Sequence, residues 1–328
     1  MTVSSVRENI VLIRRTSGWE ITEREASSEE AFLSRRTFLA RAGLAAAAGM
    51  VLACGDRAAA GVEATIPKNA LPFPFRRNGR YAIDRPLTRE TVAASYNNFY
   101  EFTTHKDVWK RTGAFLGATP WTLEVTGMVH RPFTISVDEL MRTMPMQERL
   151  YRHRCVEAWA MAVPWTGFPL MELLRRAEPA MGARYVRFLS FSDGHQQPAV
   201  HDRPWNNWPY YEGLRIDEAM NELAFLVTGV YGHALPKQHG APLRLVVPWK
   251  YGYKSAKSIV RIEVTDRQPH TFWEDLAPNE YPFESNVDPS IPHPRWSQLT
   301  ERMIGTFDVR RTVKYNGYGE WVRSMYEK

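Results

Sequence analysis

Cysteine is scarce in this sequence, with only two among 328 residues. Cys54 lies at the end of a segment that has the features of a removable leader, so the mature protein would carry a single thiol, Cys155. One thiol cannot form an intramolecular disulfide, and it cannot supply a cysteine-rich zinc site or an iron–sulfur cluster. The scarcity excludes a disulfide framework and leaves one cysteine whose role has to be found.

Long runs of basic or apolar residues are also lacking. The formal net charge is +6, which fits a solvated surface or a basic cleft for an anionic ligand and gives no indication of a nucleic-acid partner. The Ala/Gly-rich run 42–53 is weakly hydrophobic and shorter than the roughly 20 residues that a transmembrane helix needs. No internal repeat is present, and the G-x-x-x-x-G-K-[ST] spacing of a Walker nucleotide site is absent.

Residues 1–60 are predicted to be a twin-arginine signal peptide, followed by one catalytic domain over 61–328. The segment Ser34–Leu39 reads S-R-R-x-F-L, and the small residues Ala58–Ala60 suit a signal peptidase. Twin-arginine export carries folded proteins and is common where a cofactor is inserted before export. The leader therefore predicts a periplasmic cofactor protein. Two alternatives are an ordinary N-terminal helix and a lipid anchor on Cys54.

Short strands alternate with short helices along the mature chain, which predicts a single α+β domain. The segment 61–90 is rich in proline and arginine and is predicted to be an extended strap. The tail after Val264 is rich in aromatic residues and proline, has few periodic elements, and is predicted to wrap the surface. Strands are predicted over 121–129, 133–136, 148–155, 185–191, 224–230, 243–248 and 259–264, and helices over 137–144, 170–177 and 216–220.

Cys155 stands at the end of a basic strand. Two arginines and His153 precede it, and Glu157 follows two residues later. Positive charge near a thiol favours its ionised form, which is the form that attacks carbonyls or binds soft metals. Three interpretations stay open on these residues: a metal ligand, a nucleophile with His153 or His195 as its base, and an inert buried cysteine.

A second candidate site is the loop 249–258, which carries three lysines and two serines. Lysine side chains, hydroxyl groups and backbone N–H groups in a glycine-containing turn make a cradle for phosphate. The alternative is a solvated basic loop. Two segments that combine aromatic residues with asparagines, 94–102 and 205–212, could bind a flat heterocycle or could simply form turns.

Together, the export leader, the single cysteine beside a basic strand and the H-G-A-P-x-R motif before the lysine–serine loop resemble the sulfite oxidase superfamily of molybdenum–molybdopterin proteins. Within that superfamily, the sequence looks most like the periplasmic methionine-sulfoxide reductase catalytic subunits. The resemblance implies a sulfite-oxidase-type fold of mixed sheets with short helices. The motifs that carry it are 96–102, 154–159, 208–214 and 231–258.

The resemblance implies a cofactor made of one molybdenum with one pterin dithiolene, and Cys155 as the protein ligand of the metal. Asn98 and Glu157 lie close in sequence to the residues that the resemblance implies, so they are predicted to face the open side of the metal as catalytic residues, with a supporting role as the alternative. His239 and Ser190 depart from the asparagine and threonine that the family's reductases commonly have. The residues implied to line the pterin and its phosphate are Asn97, Tyr100, Glu101, Ser190, His239, Arg244, Ser255, Ala256 and Lys257.

The activity implied by the resemblance is reduction of methionine sulfoxide, free or in oxidised periplasmic proteins, with electrons from quinol through a membrane-bound haem b partner. The residues after Val264 leave no room for the second, dimerisation domain of the sulfite oxidases, which favours a monomeric catalytic subunit. Three rival interpretations stay open: oxidation of sulfite or turnover of another small S- or N-oxide, a metal-free cysteine–histidine enzyme, and a non-catalytic binding module with an aromatic cleft.

Overall fold

A computed structural model describes residues 61–67 and 72–327, and Ala59–Lys328 form one compact unit. The predicted signal peptide and the alternative lipid site at Cys54 lie outside the described residues. None of the helices in those two stretches is long and apolar enough to cross a membrane.

One sheet has five strands: β1 Thr122–Gly127, β2 Phe133–Ser136, β5 Tyr185–Ser190, β6 Tyr211–Arg215 and β10 Ile259–Thr265. Their order across the sheet is β2-β1-β10-β5-β6. Strands β1 and β10 run parallel, and the other neighbouring pairs run antiparallel. Leu123 and Val125 are buried on alternate positions of β1, which is the pattern of a strand with one face on the core. Gly127 ends this strand at φ +87°, and a Cβ there would stand 2.1 Å from the Val264 carbonyl oxygen.

The other sheet has seven strands: β3 Gln147–Arg154, β4 Trp159–Pro169, β7 Phe225–Val230, β8 His233–Ala234, β9 Arg244–Val246, β11 Thr300–Met303 and β12 Val309–Arg311. Five of them follow the order β12-β11-β4-β7-β8, while β3 pairs with β4 and β9 pairs with β7. Every residue of β4 is buried, so its sequence does not alternate, and no strand was predicted here. Gly167 is required where β4 meets β7, because a Cβ would stand 2.0 Å from the Leu226 carbonyl oxygen.

Helices in the described residues are short, which together with the two mixed sheets confirms the predicted α+β class. Ser136 caps the helix that follows it, since its hydroxyl accepts a hydrogen bond of 3.1 Å from the Glu139 N–H. The α-helices are α1 Glu90–Ser95, α2 Val137–Thr143, α3 Leu170–Ala177, α4 Pro198–Asp202, α5 Ile216–Ala219, α6 Phe272–Leu276 and α7 Gly319–Val322. The 3₁₀ turns are Val108–Lys110, Lys237–His239, Gly252–Lys254, Lys314–Gly317 and Arg323–Met325.

The prediction that the tail wraps the surface is wrong. Strand β11 pairs in parallel with β4, placing Arg302 opposite Trp159. Val287, Tyr315 and Val322 are buried. Single aromatic and aliphatic side chains enter the core here without a helical or strand period, so periodicity could not reveal that the tail belongs to the core.

Candidate active site

Cys155 begins a four-residue turn between β3 and β4. Its N–H donates to the Trp159 carbonyl oxygen at 2.9 Å, and its own carbonyl oxygen accepts from the Ala158 N–H at 3.0 Å. Ala158 takes a left-handed conformation, φ 65°, to close the turn. The full-length pairing of β3 with β4 fixes both ends of this turn, so the thiol is held on a rigid element just beyond the strand end, as predicted.

The sulfur of Cys155 is in contact with two polar side chains. Asn98 Nδ2 lies 3.5 Å from Sγ, and Glu157 Oε2 lies 3.7 Å from it. The same Asn98 nitrogen donates to Glu157 Oε2 at 3.2 Å, and Trp159 Nε1 donates to that oxygen at 2.8 Å. The sequence placed Asn98 and Glu157 beside the metal, and the structure brings both to the thiol.

Lys106 completes this network, and sequence reasoning missed it. Its Nζ donates to Asn98 Oδ1 at 2.5 Å and forms an ion pair with Glu157. Burial acts to raise the pKa of Glu157, but the charge and hydrogen bond of Lys106, aided by Trp159 and Asn98, leave that pKa below its ordinary value. Glu157 is therefore held as a carboxylate. Lys106 stands four residues beyond the matching motif in a polar stretch, so no local pattern marked it.

Nearby cations do not ionise the thiol, contrary to the expectation from the sequence. Burial raises the pKa of Cys155 to about 12, and the charge of Glu157 also raises it. The charges of Lys106 and Arg154 lower this pKa, but by less. The Arg154 guanidinium is directed to the Thr300 carbonyl oxygen, 3.1 Å away. In the protein alone the thiol is neutral, and its deprotonation would accompany metal binding, because a coordinated thiol loses its proton.

A cavity opens beside this network, with an empty volume of about 920 Å³ that is partly open to solvent. The segment 96–101, the turn after β3 and the loop before β10 form much of its wall. The tail contributes Trp273 and Trp296. Eleven of the twelve predicted site residues line it, and their roles stay predictions: Asn97, Asn98, Tyr100, Glu101, Cys155, Glu157, His239, Arg244, Ser255, Ala256 and Lys257.

Ser190 is the predicted residue that does not line the cavity. It is buried at the end of β5, where its N–H donates to the Tyr210 carbonyl oxygen at 2.9 Å. Its hydroxyl has no hydrogen-bond partner in the described part of the chain.

Two cations line the cavity, the buried Arg244 and the half-buried Lys257, and neither forms an ion pair in residues 61–67 and 72–327. Burial lowers the pKa of Arg244 to about 9 and, together with the charge of Arg244, lowers the pKa of Lys257 to about 7 against the opposing effect of Glu101. Burial also raises the pKa of Glu101 to about 7. Cations held in a cavity at this cost favour an anionic occupant.

The other two lysines of the loop do not reach the cavity. Lys250 Nζ lies 2.5 Å from Glu218 Oε1, and Lys254 Nζ lies 2.5 Å from Glu212 Oε2. All four side chains are buried. The predicted phosphate cradle therefore has one lysine and not three, because Lys257 is the only lysine of this loop that lines the cavity.

A flat anionic cofactor fits the wall of the cavity. His239 Nε2 is buried without a hydrogen-bond partner among the described residues, and burial, followed by the charges of Arg244 and Lys257, lowers its pKa to about 3. The ring is therefore neutral and can donate to or accept from a heterocycle. Gly240, at φ +96°, leaves room for Lys257, since a Cβ would stand 2.6 Å from the lysine's Cβ.

A metal at Cys155 would depend on the cofactor for its other ligands. In the described residues there is no group of three or more His, Cys, Asp or Glu side chains that could hold a metal ion. A single thiolate beside a pterin dithiolene is a sulfur-rich donor set of the kind that a soft, redox-active metal prefers.

The metal-free interpretation requires a histidine as the base, and neither candidate histidine lies beside the thiol. His195 is exposed in the turn after β5, where its N–H donates to Asp193 Oδ1 at 2.8 Å. His153 is in the cavity wall, with its ring centre 5.5 Å from that of Trp159, and burial lowers its pKa to about 3. Because both side-chain contacts of Sγ are with other residues, neither histidine stands where it could take the thiol proton.

Comparisons with known proteins identify the family. Residues 112–273 match the family model described as "Oxidoreductase molybdopterin binding domain". The chain is 50% identical over 273 residues to the protein-methionine-sulfoxide reductase catalytic subunit MsrP of Burkholderia mallei, covering 82% of this chain and 81% of that protein. It is 51% identical over 259 residues to the protein of the same name from Ralstonia nicotianae, covering 76% and 77%.

One solved structure, the sulfane dehydrogenase SoxCD from Paracoccus pantotrophus, superposes on 76% of this chain and 56% of its own, with a TM-score of 0.44 and 17% identity. A likeness of that size carries no argument about the site.

Proposed function

The chain belongs to the family of protein-methionine-sulfoxide reductase catalytic subunits, and from that premise we propose how it works and where. It is an enzyme, a molybdopterin-dependent oxidoreductase that reduces methionine sulfoxide. We propose that its substrates are free methionine sulfoxide and oxidised periplasmic proteins. The observation that carries the proposal is the Cys155 thiol held between an amide and a carboxylate, at the wall of a cavity that also holds Arg244 and Lys257, two cations with no ion pair in the described residues.

The residues of the cavity suit a molybdenum–pterin cofactor. Cys155 would bind the metal. Lys257 and Arg244 would hold the anionic end of the pterin, with His239 at the heterocycle. When bound, the molybdenum centre would supply the two electrons that, with two protons, convert the sulfoxide to a thioether and water.

The chain's own residues prepare the position beside the metal ligand. Asn98 places an amide N–H₂ within 3.5 Å of the sulfur, where it can donate to a polar S=O group. Glu157 stays a carboxylate next to it because of Lys106. The aromatic wall that includes Trp273 and Trp296 suits the thioether arm of a methionine, because sulfur packs favourably against rings.

The reaction needs an electron donor, and the chain's relatives are named as catalytic subunits. We propose that a membrane-bound haem b protein that oxidises quinol is the partner. The twin-arginine pattern at Ser34–Leu39 supports a periplasmic location and export in the folded state. A monomeric catalytic subunit fits this arrangement.

The test is turnover by purified, molybdenum-loaded protein, with a reduced viologen dye as donor and methionine sulfoxide as substrate. We expect methionine to form in proportion to the dye oxidised, with two one-electron dye molecules consumed per methionine. Sulfite added with an electron acceptor should give no turnover. Failure to reduce any S- or N-oxide would contradict the proposal.

A further inference from the structure

The hairpin of β11 and β12 with its flanks, residues 299–313, concentrates exposed apolar side chains. Of the eight large hydrophobic residues exposed in the described part of the chain, four belong to this hairpin. Such clusters on a protein surface mark interaction sites. The four are Leu299, Phe307, Val309 and Val313, with exposed fractions of 66%, 56%, 67% and 50%.

The outer face of the 299–313 hairpin is also basic. Arg302 lies directly opposite Val309 in the strand pairing, and Arg311 lies opposite Thr300. Both arginines are exposed, and in the described residues neither forms an ion pair, whereas Arg261 on the other sheet is paired with a glutamate at 2.6 Å. The hairpin therefore offers an apolar centre beside two cations that carboxylates of another molecule could satisfy.

This hairpin is joined directly to the turn that carries the thiol. The Arg302 N–H donates to the Ala158 carbonyl oxygen at 2.9 Å, and the Gln298 amide, just before the hairpin, donates to the Val156 carbonyl oxygen at 2.7 Å. A molecule seated on the hairpin would thus contact an element that is hydrogen-bonded to the turn of Cys155. Electron transfer slows steeply with distance, so this is a favourable place to receive electrons.

We propose that the 299–313 hairpin is the docking surface of the electron-donating partner protein, whose contacting face carries carboxylates around an apolar patch. The inference rests on the proposed function, which requires two electrons from outside the chain. The partner is oxidised as the catalytic centre is reduced, and no bond forms between the proteins. Redox partners commonly bind through small interfaces, below about 1,200 Å² in total, which a two-stranded hairpin can supply.

The experiment uses the full, cofactor-loaded protein with Val309→Glu and Arg302→Glu combined. Both side chains are exposed, so neither substitution should unfold the protein. The matched control combines Met181→Glu, at a fully exposed residue, with Arg267→Glu, at an exposed arginine, both away from the hairpin. Each protein is assayed with two donors: reduced viologen dye, and quinol-supplied membranes isolated from the source organism.

We expect the hairpin variant to lose about tenfold or more of its membrane-driven rate, the size of losing one interface hot spot. Its dye-driven rate should equal that of the wild type, because a small dye needs no docking surface. The control should match the wild type with both donors. Added salt should slow the membrane-driven reaction of the wild type and affect the variant less, since the two arginines are exposed charges.

An unchanged membrane-driven rate in the hairpin variant would overturn the docking proposal while leaving the proposed function standing. Two other results would also overturn it: a wild type that binds protein-free phosphatidylglycerol vesicles through this hairpin, and a wild-type dimer that the variant splits. Absence of dye-driven turnover in the wild type would contradict the proposed function instead.

Discussion

Four cations lie in the stretch from Arg244 to Lys257, and they fall into two groups. Lys250 and Lys254 each form an ion pair of 2.5 Å with a glutamate that is itself buried. Arg244 and Lys257 line the cavity, and in the described residues no carboxylate forms an ion pair with either. Arg244, Lys250 and Lys254 are buried, and Lys257 is half-buried.

The difference separates charge that serves the fold from charge that serves a ligand. A buried charge whose partner is in the same chain is neutralised when the protein folds, and its loss leaves the partner unpaired. A buried charge without a partner costs stability in the empty protein, and that cost is recovered when an anion enters. Substituting one lysine of each group, Lys254 and Lys257, tests this difference.

The largest effect is expected for Lys254→Met. The substitution removes the ammonium group and leaves Glu212 buried and unpaired, so the free energy of unfolding of the cofactor-free protein should fall by about 3 kcal/mol. Urea unfolding measures this. Adding Glu212→Gln in the same protein should recover part of the loss, and wild-type stability in the single variant would show that the pair does not support the fold.

Lys257→Met should behave in the opposite way. Lys257 has no ion pair in the described residues, and burial and the charge of Arg244 lower its pKa to about 7. Its removal should therefore leave the cofactor-free protein unfolding at no lower a urea concentration than the wild type. Retention of the pterin should fall by about tenfold or more, the size of one charged hydrogen bond. Pterin content after purification and dialysis is the measurement. Full retention would remove Lys257 from the anion site.

Lys106→Met should produce a smaller effect of a different kind. Molybdenum content should stay at the wild-type level, because Lys106 contacts Asn98 and Glu157 and does not contact the sulfur. Turnover should fall by up to about tenfold through lost positioning, and Lys106→Arg should restore part of it. A loss of metal equal to the loss of activity would instead give Lys106 a role in holding the cofactor.

The smallest effect is expected for Lys110→Met. This lysine pairs with Asp107 at 2.8 Å on an exposed turn, and such pairs contribute about 0.2–0.5 kcal/mol. Turnover and pterin content should equal those of the wild type. A change in either would mean that the loss seen for Lys106→Met reflects the whole loop and not the network at Asn98.

The sequence predicted the parts of the site that depend on local patterns. Cys155 was expected just beyond a strand, and its turn is there. Eleven of the twelve residues implied by the family resemblance share one cavity, because the motifs that carry the resemblance are continuous stretches that the fold brings together.

What the sequence could not predict depends on partners that are distant along the chain. Lys250, Lys254 and Lys257 cannot be told apart from the sequence around them. The glutamates that form ion pairs with Lys250 and Lys254 stand 32 or more positions earlier in the chain. Strand β4 was missed because a strand that is buried throughout does not alternate. Trp273 and Trp296 enter the cavity from a tail without a period.

The most direct test of the central claim, that Cys155 holds the metal, is the molybdenum and pterin content of Cys155→Ser against the wild type, with X-ray absorption at the molybdenum edge. We expect the variant to retain pterin through Lys257 and Arg244, and to show one sulfur fewer around any molybdenum that remains. Equal molybdenum with the same number of sulfur ligands in both proteins would contradict the account.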